Sequence, residues 1–330
     1  MSRIAVLGAG AWGTALTLSL ARRGGHHLSL WAHSPAHAEQ LRDTGENSRY
    51  LPHFIVPADI RITSDLLRAA DGADIILCVT PSQNLRGVMT RLAPHLNPRQ
   101  VILSASKGIE DSSFLRMSQV VAEHSTNPFG VLSGPSFAQE VAAGMPTALV
   151  IAASGEALGK QMQDAFTSPT LRVYRNEDII GTELGGALKN IIAIASGVVY
   201  GLELGSNAAA ALTTRGIAEM TRLAIACGGR RETLAGLSGI GDLILTCTGG
   251  LSRNRSVGIE LGKGRQLPDI LEALNGRVAE GVRSTTAALG LAARYGVEMP
   301  ITQQVDAILH HGKPARDAIR DLMSRPGRNE

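Results

Sequence analysis

Residues 3–13 read RIAVLGAGAWG, with Gly8, Gly10 and Gly13 in a Gly-x-Gly-x-x-Gly arrangement. Ile4, Ala5, Val6 and Leu7 form an unbroken apolar run, the composition of a parallel strand covered on both faces. Past the glycines, Ala15, Leu16, Leu18 and Leu20 follow a helix-like pattern. Strand, glycine turn and helix in that order are the context in which this spacing signals dinucleotide binding. Gly8 permits the tight turn, Gly10 lets the backbone approach a pyrophosphate, and Gly13 lets helix and strand pack closely. The phosphates would then sit on N–H groups at a helix N-terminus, next to Ala11 and Trp12.

Downstream of this unit, apolar runs and helical patterns alternate. His27–Ala32 reads as a second strand, Asp59–Ile62 as a short third, Asp74–Val79 as a fourth and Gln100–Ser104 as a fifth. Val131–Ser133, Thr147–Ala152 and Leu171–Tyr174 follow, with a helix from Gly155. Alternation of this kind predicts an α/β domain on a parallel, Rossmann-like doubly wound sheet. A strictly NAD-dependent domain places an acid at the end of the second strand to hold the ribose 2′-hydroxyl. Here that position reads Trp31-Ala32-His33-Ser34, and His33 and Arg49 could instead attract a 2′-phosphate. NADPH is therefore expected to be accepted or preferred, with NADH as the other candidate.

Other groups cluster where strands end. Pro81 stops the fourth strand, and Ser82 is expected to cap the helix that runs to Leu92. Lys107 lies just past the fifth strand, on the ligand side of such a sheet. Gly134-Pro135-Ser136-Phe137 reads as a strand-to-helix turn with exposed N–H groups and a hydroxyl cap.

After Asn176 only helical periodicities and glycine stops remain, so residues 1–180 are expected to form the dinucleotide-binding domain and 181–330 an all-helical substrate-binding domain. Helices are expected over 179–200, 208–227, 253–261, 267–274, 285–295, 302–310 and 315–323. The first is apolar on nearly every side, yet carries Lys189-Asn190. A lysine among Ala187, Leu188, Ile191, Ile192 and Ile194 must snorkel, pair with an acid such as Glu183, or lose its proton. Asp242, directly after Gly239-Ile240-Gly241 and beside an apolar run, reads as a carboxylate on a tight loop, or as a turn or helix cap. Ser252-Arg253-Asn254-Arg255-Ser256 places guanidinium forks and hydroxyls at a helix start, an anion site in the making or a solvated basic face. Residues 276–281 form a glycine-flanked loop that periodicity leaves unassigned.

Composition narrows the partners. In 330 residues, 44% are hydrophobic, only 3% aromatic, and 37 are Gly, so Ala, Leu, Ile and Val must fill the core. The net charge of +3, without a basic block interleaved with aromatics, gives no support to nucleic-acid binding and suits small anionic ligands. Cys78, Cys227 and Cys247 are widely spaced, outside any metal or disulfide pattern, which points to reduced thiols and a cytoplasmic location. The N-terminus runs straight into the first strand, leaving no room for a signal peptide. No apolar stretch is expected to reach the ~18 residues a membrane span needs; the nearest, Ile191–Tyr200, is too short and contains Ser196 and Gly197.

Taken together, GAGAWGTA, LWAHSP, SASKGIE, SGPSFAQEVAAGMPTA, LGGALKNIIAIASG, GIGDLILTCTGGLSRNRSVG, VAEGVRST and GVEMPIT resemble the bacterial type of NAD(P)-dependent glycerol-3-phosphate dehydrogenase. The resemblance covers most of the chain. It implies reduction of dihydroxyacetone phosphate to sn-glycerol 3-phosphate by hydride from NADPH or NADH, for glycerophospholipid synthesis, in a cytoplasmic homodimer. It implies further that Lys189 exchanges a proton with the substrate C2 oxygen, with Lys107 and Asp242 beside the reacting centre. Gly134, Ser136, Asn190, Thr246, Ser252, Arg253 and Asn254 would bind substrate, the last two through its phosphate. On the cofactor side it implies Ala11, Trp12, His33, Lys107, Ala138, Arg253, Val278 and Glu280, in addition to the glycines and Arg49. Position 11 is often serine in the family, so here only a backbone contact remains. A related β-hydroxyacid or ketopantoate-type reductase is the alternative on the same fold, and the SRNR segment at 252–255 argues against it by calling for a phosphorylated substrate.

Overall fold

The structure is a computed structural model that describes residues 1–274 and 278–326; Gly276 and Arg277 of the expected loop lie outside them. Two compact units are present, one of Met1–Lys107 with Arg116–Glu183, the other of Gly108–Leu115 with Leu184–Glu330. The excursion of residues 108–115 into the second unit has no counterpart in the periodicity.

The first unit contains strands β1 (Ser2–Leu7), β2 (His26–Trp31), β3 (Glu46–Asn47), β4 (Leu51–Ile55), β5 (Arg61–Thr63), β6 (Ile75–Cys78), β7 (Val101–Ser104), β8 (Phe129–Ser133), β9 (Thr147–Ala153) and β10 (Leu171–Asn176). Its helices are α1 (Ala11–Arg23), α2 (Pro35–Thr44), α3 (Leu66–Ala70), α4 (Leu85–Leu92), α5 (Met117–Ala122), α6 (Ala138–Ala142) and α7 (Glu156–Phe166). Eight strands form one sheet in the order β10-β9-β8-β7-β6-β1-β2-β5, while β3 and β4 pair separately as an antiparallel ribbon. β1 has its successor β2 on one side and β6 on the other, so the strand order turns back at β1, where such sheets bind ligands at their carboxyl ends. β1 and β6 are buried at nearly every position, as strands of a parallel sheet covered on both faces are, which fits their unbroken apolar runs.

Two expectations are corrected here. The sheet is not wholly parallel: β8 and β9 pair antiparallel, so β9 and β10 run against the rest. Strand runs look alike in either direction, and only the connection decides it. The two hydroxyls expected as caps also miss the N-cap positions: Ser82 lies inside a 3-10 turn, with Asn84 the N-cap of α4, and Ser136 precedes Phe137, the N-cap of α6.

The second unit begins within α8 (Ile179–Gly201) and continues through α9 (Gly205–Ala226), α10 (Arg231–Leu234), α11 (Asp242–Thr248), α12 (Arg253–Gly262), α13 (Leu267–Ala273), α14 (Glu280–Arg294), α15 (Pro300–His310) and α16 (Ala315–Met323). α8 corrects the membrane reading: its 23 residues include an 18-residue window with a mean hydropathy of 1.3, enough by length and composition to cross a bilayer. Yet 89% of that window is buried within the protein, as in a core helix. Glycines make this packing close. Cβ atoms added at Gly197 and Gly258 would stand 2.1 Å from the Arg255 carbonyl oxygen and 2.0 Å from that of Ile194, so α8 and α12 touch backbone to backbone.

Candidate active site

In the first unit the three glycines divide the work. Gly8 has φ +131°, and a Cβ there would meet the Val79 carbonyl oxygen at 2.6 Å. A Cβ on Gly13 would stand 1.8 Å from the Gly8 carbonyl oxygen, so α1 packs directly on the turn. Gly10 differs, because a Cβ would meet nothing within 4 Å. Gly10 is also the N-cap of α1, with no side-chain cap and no acid in the first turn. The result is an open, uncapped helix start that favours an anion by its N–H groups and dipole. Two buried donors nearby lack any hydrogen-bond partner: the Trp12 indole Nε1 in the first turn of α1, and the Thr80 hydroxyl just past β6. Thr80 and the Ser133 hydroxyl, also unpartnered at the end of β8, were not singled out in the sequence. Their only signal was a small polar residue closing an apolar run. Open space above Gly10, a bare helix start and an orphaned indole N–H all fit a bound dinucleotide.

No carboxylate closes β2. His33 is exposed, edge-on to the Trp31 ring with centroids 5.7 Å apart, and Ser34 caps α2 by accepting from the His37 N–H at 3.4 Å. Arg49, in the turn between β3 and β4, is exposed with its guanidinium 5.1 Å from the Tyr50 ring centroid. Farther along the sheet, the Gly134 carbonyl accepts from Lys107 Nζ at 3.0 Å and from the Ser136 hydroxyl at 3.1 Å. This joins the end of β7 to the turn after β8. Gly134 has φ +126°, and a Cβ would press on the Leu149 backbone at 3.2 Å, so a side chain is excluded. Ala138 opens α6 directly after this turn.

In the second unit, Lys189 is 7% exposed and Asp242 is fully buried. Lys189 Nζ donates to the Asp242 carboxylate and, at 2.9 Å, to the Thr246 hydroxyl, which itself donates to the Asp242 carbonyl at 2.6 Å. Of the outcomes open to Lys189, pairing is the one realised, though not with Glu183. That carboxylate takes Arg116 Nη1 at 2.5 Å, the Ser118 N–H at 2.6 Å and the Ser118 hydroxyl at 2.7 Å. Burial nevertheless pushes the Glu183 carboxyl above its ordinary pKa, with Arg116 opposing.

Asp242 is not presented on a loop. A π-helical turn at Leu237–Gly241 leads into α11, whose first residue is Asp242. The glycines admit that turn against its neighbours: a Cβ on Gly239 would be 2.0 Å from the Leu234 carbonyl oxygen, and one on Gly185 of α8 would be 2.4 Å from that of Ser238.

Beside this cluster, two amides link three helices. Asn254 Nδ2 donates to Asn190 Oδ1 at 2.9 Å, and Asn254 Oδ1 accepts from the Gly281 N–H at 3.0 Å. Much of the hydrogen-bonding capacity of Asn254 is therefore spent within the protein. Ser252 is the N-cap of α12, accepting from the Arg255 N–H at 3.2 Å. Arg253 is exposed in the first turn, whereas Arg255 lies over the Tyr200 ring at 4.2 Å. Glu280 begins α14 and Val278 is exposed just before it. No disulfide joins the three cysteines, and burial lifts the Cys78 and Cys247 thiols to about 12, which makes them inert.

Known proteins match this arrangement along its whole length. Residues 3–159 match the family model for the N-terminus of NAD-dependent glycerol-3-phosphate dehydrogenase, and residues 178–320 match the model for its C-terminus. A glycerol-3-phosphate dehydrogenase [NAD(P)+] of Acidobacterium capsulatum is 58% identical over 338 residues, covering 100% of both chains. Its counterpart in Koribacter versatilis is 55% identical over 334 residues, covering 100% of this chain and 99% of the relative. Among solved structures, a glycerol-3-phosphate dehydrogenase from Coxiella burnetii superposes with a TM-score of 0.95 at 42% identity, covering 98% of this chain and 99% of the other. These likenesses leave the β-hydroxyacid alternative unfavoured. The chain belongs to the NAD-dependent glycerol-3-phosphate dehydrogenase family.

Proposed function

We propose that the protein is an NAD(P)+-dependent sn-glycerol-3-phosphate dehydrogenase that reduces dihydroxyacetone phosphate for glycerophospholipid synthesis. The observation that carries the reading is the buried Lys189–Asp242–Thr246 cluster in a chain that matches its relatives end to end. A bound NADPH or NADH supplies the hydride to the substrate carbonyl carbon. Negative charge then grows on the carbonyl oxygen, and Lys189 Nζ stabilises that oxyanion and delivers its proton. Asp242 and Thr246 orient Nζ, so the donor is set before the substrate arrives. Arg253 and the helix start at Ser252 hold the phosphate, with Asn254 and Asn190 fixing that helix against α8 and α14. Binding the remote phosphate helps align the reacting carbon.

Within the first unit, Gly8, Gly10, Ala11, Trp12 and Gly13 form the pyrophosphate cradle, and Lys107, Gly134, Ser136 and Ala138 border the reacting end. His33 and Arg49 take the 2′-phosphate, so NADPH serves at least as well as NADH. Val278, Glu280 and Arg253 complete the cofactor contacts. The dinucleotide and substrate roles of residues 1–180 and 181–330 are part of the same reading, as is a homodimer, which light scattering would check. Cysteines that form no disulfide, two of them buried, suit a reducing cytoplasm. The test is oxidation of NADPH and NADH, followed by absorbance, with dihydroxyacetone phosphate as substrate. Turnover with both, at least as efficient with NADPH, is expected; no oxidation of either would overturn the assignment.

A further inference from the structure

Asn47 lies outside every group assigned so far, yet it is 0% exposed and its side chain is held on all sides. The Ala9 carbonyl can only accept a hydrogen bond, so the amide nitrogen of Asn47 must face it. Nδ2 donates to that carbonyl at 2.9 Å and to the Thr14 hydroxyl at 2.7 Å. Oδ1 accepts from the Tyr50 N–H at 3.3 Å and from His37 Nε2 at 3.1 Å, which makes Nε2 the protonated ring nitrogen. All four positions of the amide are thereby used.

The partners give this bond set its meaning. Ala9 stands between Gly8 and Gly10, and the Thr14 N–H donates to the Gly10 carbonyl at 3.0 Å. Asn47 thus grips the glycine turn on both sides of the open position at Gly10. The glycines lack side chains with which to anchor themselves, and a peptide between two of them can rotate at little cost. An Ala9 carbonyl released from Asn47 could turn its oxygen toward a bound anion and repel it.

We propose that Asn47 is the positioning residue of the phosphate-binding turn, engaging the Ala9 carbonyl so that N–H groups alone meet a dinucleotide pyrophosphate. This rests on the dinucleotide reading of the first unit. His37 on α2 and the Tyr50 backbone hold the other end of the amide, tying the turn to the segment that carries Arg49.

The test is calorimetric titration of NAD+ and NADP+ into the full-length wild-type protein, Asn47→Ala and Asn47→Asp. Losing the two donors should raise both dissociation constants about tenfold and by a common factor, since both dinucleotides carry the pyrophosphate. The kcat at saturating cofactor and the KM for dihydroxyacetone phosphate should stay within about twofold. A merely structural Asn47 would lower the melting temperature and leave both dissociation constants unchanged in the folded protein, and that result overturns the proposal. A loss confined to NADP+ also overturns it, by moving Asn47 to the ribose end. Should Asn47→Ala not fold, Asn47→Asp decides, because it keeps the volume and the acceptors for His37 and Tyr50. Thr14→Ala, which removes one acceptor only, decides if neither folds: a smaller shared loss supports the proposal and none overturns it. Wild-type protein that binds neither dinucleotide would instead overturn the reading on which this one rests.

Discussion

Lys189 and Asp242 are worth more as a pair than either is alone. Removing one charge of a buried pair strands the other, at a cost of about 3–5 kcal/mol. Lys189→Met should therefore lower stability by roughly that amount and cut kcat by about 10²–10⁴-fold through loss of the proton donor. Lys189→Met/Asp242→Asn should recover most of the stability and none of the activity, as read by denaturant midpoints and by NADPH oxidation. Recovery of activity in the double variant would remove Lys189 from the chemistry. Arg253 is exposed, so its replacement leaves the core alone. Arg253→Ala should raise the KM for dihydroxyacetone phosphate by about 10–100-fold, the worth of a charge-assisted contact, and leave the melting temperature in place. An unchanged KM would take the phosphate away from Arg253. Lys189 stood out in the sequence because a charge in an apolar helix needs a reason. Asp242 stood out as well, but their pairing did not, because the two lie 53 residues apart and the choice between Glu183 and Asp242 depends on which helix packs there.

At the scale of elements, the glycine turn separates binding from packing. Gly13→Ala should cost about 1–3 kcal/mol, since its methyl group has no room beside the Gly8 carbonyl. Gly10→Ala should be near neutral for stability, because a slightly poorer cap is offset by lower unfolded-state entropy. The same substitution should raise the dissociation constants for NAD+ and NADP+ tenfold or more (about 1.4 kcal/mol), by occupying the space left for the pyrophosphate. Calorimetric titration beside thermal melts checks both, and tight binding by Gly10→Ala would argue against the cradle. This turn was legible because strand, glycines and helix are contiguous. The π-helical turn before α11 was not, since the glycines at 239 and 241 are equally compatible with a loop. The crossing of α8 and α12 became visible only when two distant Gly-x-x-x-Gly faces, 197/201 and 258/262, were brought together.

For the whole molecule, acid is expected to weaken the first unit before any active-site group is involved. Burial holds His26 and His37 below their ordinary pKa of 6.5. Their contribution to stability is complete above that value and is lost as the pH falls through their lowered folded values, because the unfolded chain takes up the protons more readily. Denaturant midpoints should therefore fall from neutral pH to about pH 5, and His26→Gln/His37→Gln should flatten the slope. An identical slope in the variant would discharge both histidines. Saturating NADP+ acts in the opposite direction, adding about 2.7 kcal/mol at a hundredfold excess over its dissociation constant.

The amino-acid order was sufficient for whatever neighbours in the chain can encode: the apolar runs of the strands, the glycine spacing, the helical periods after Asn176, and a lysine out of place among aliphatics. Folding in three dimensions was needed to reverse β9 and β10, to send residues 108–115 into the second unit, to pair Lys189 with Asp242 and to bring Asn47 under Ala9. Periodicity is a property of adjacent residues, whereas a hydrogen-bond partner is whatever distant group the packed backbone delivers to within 3 Å or so.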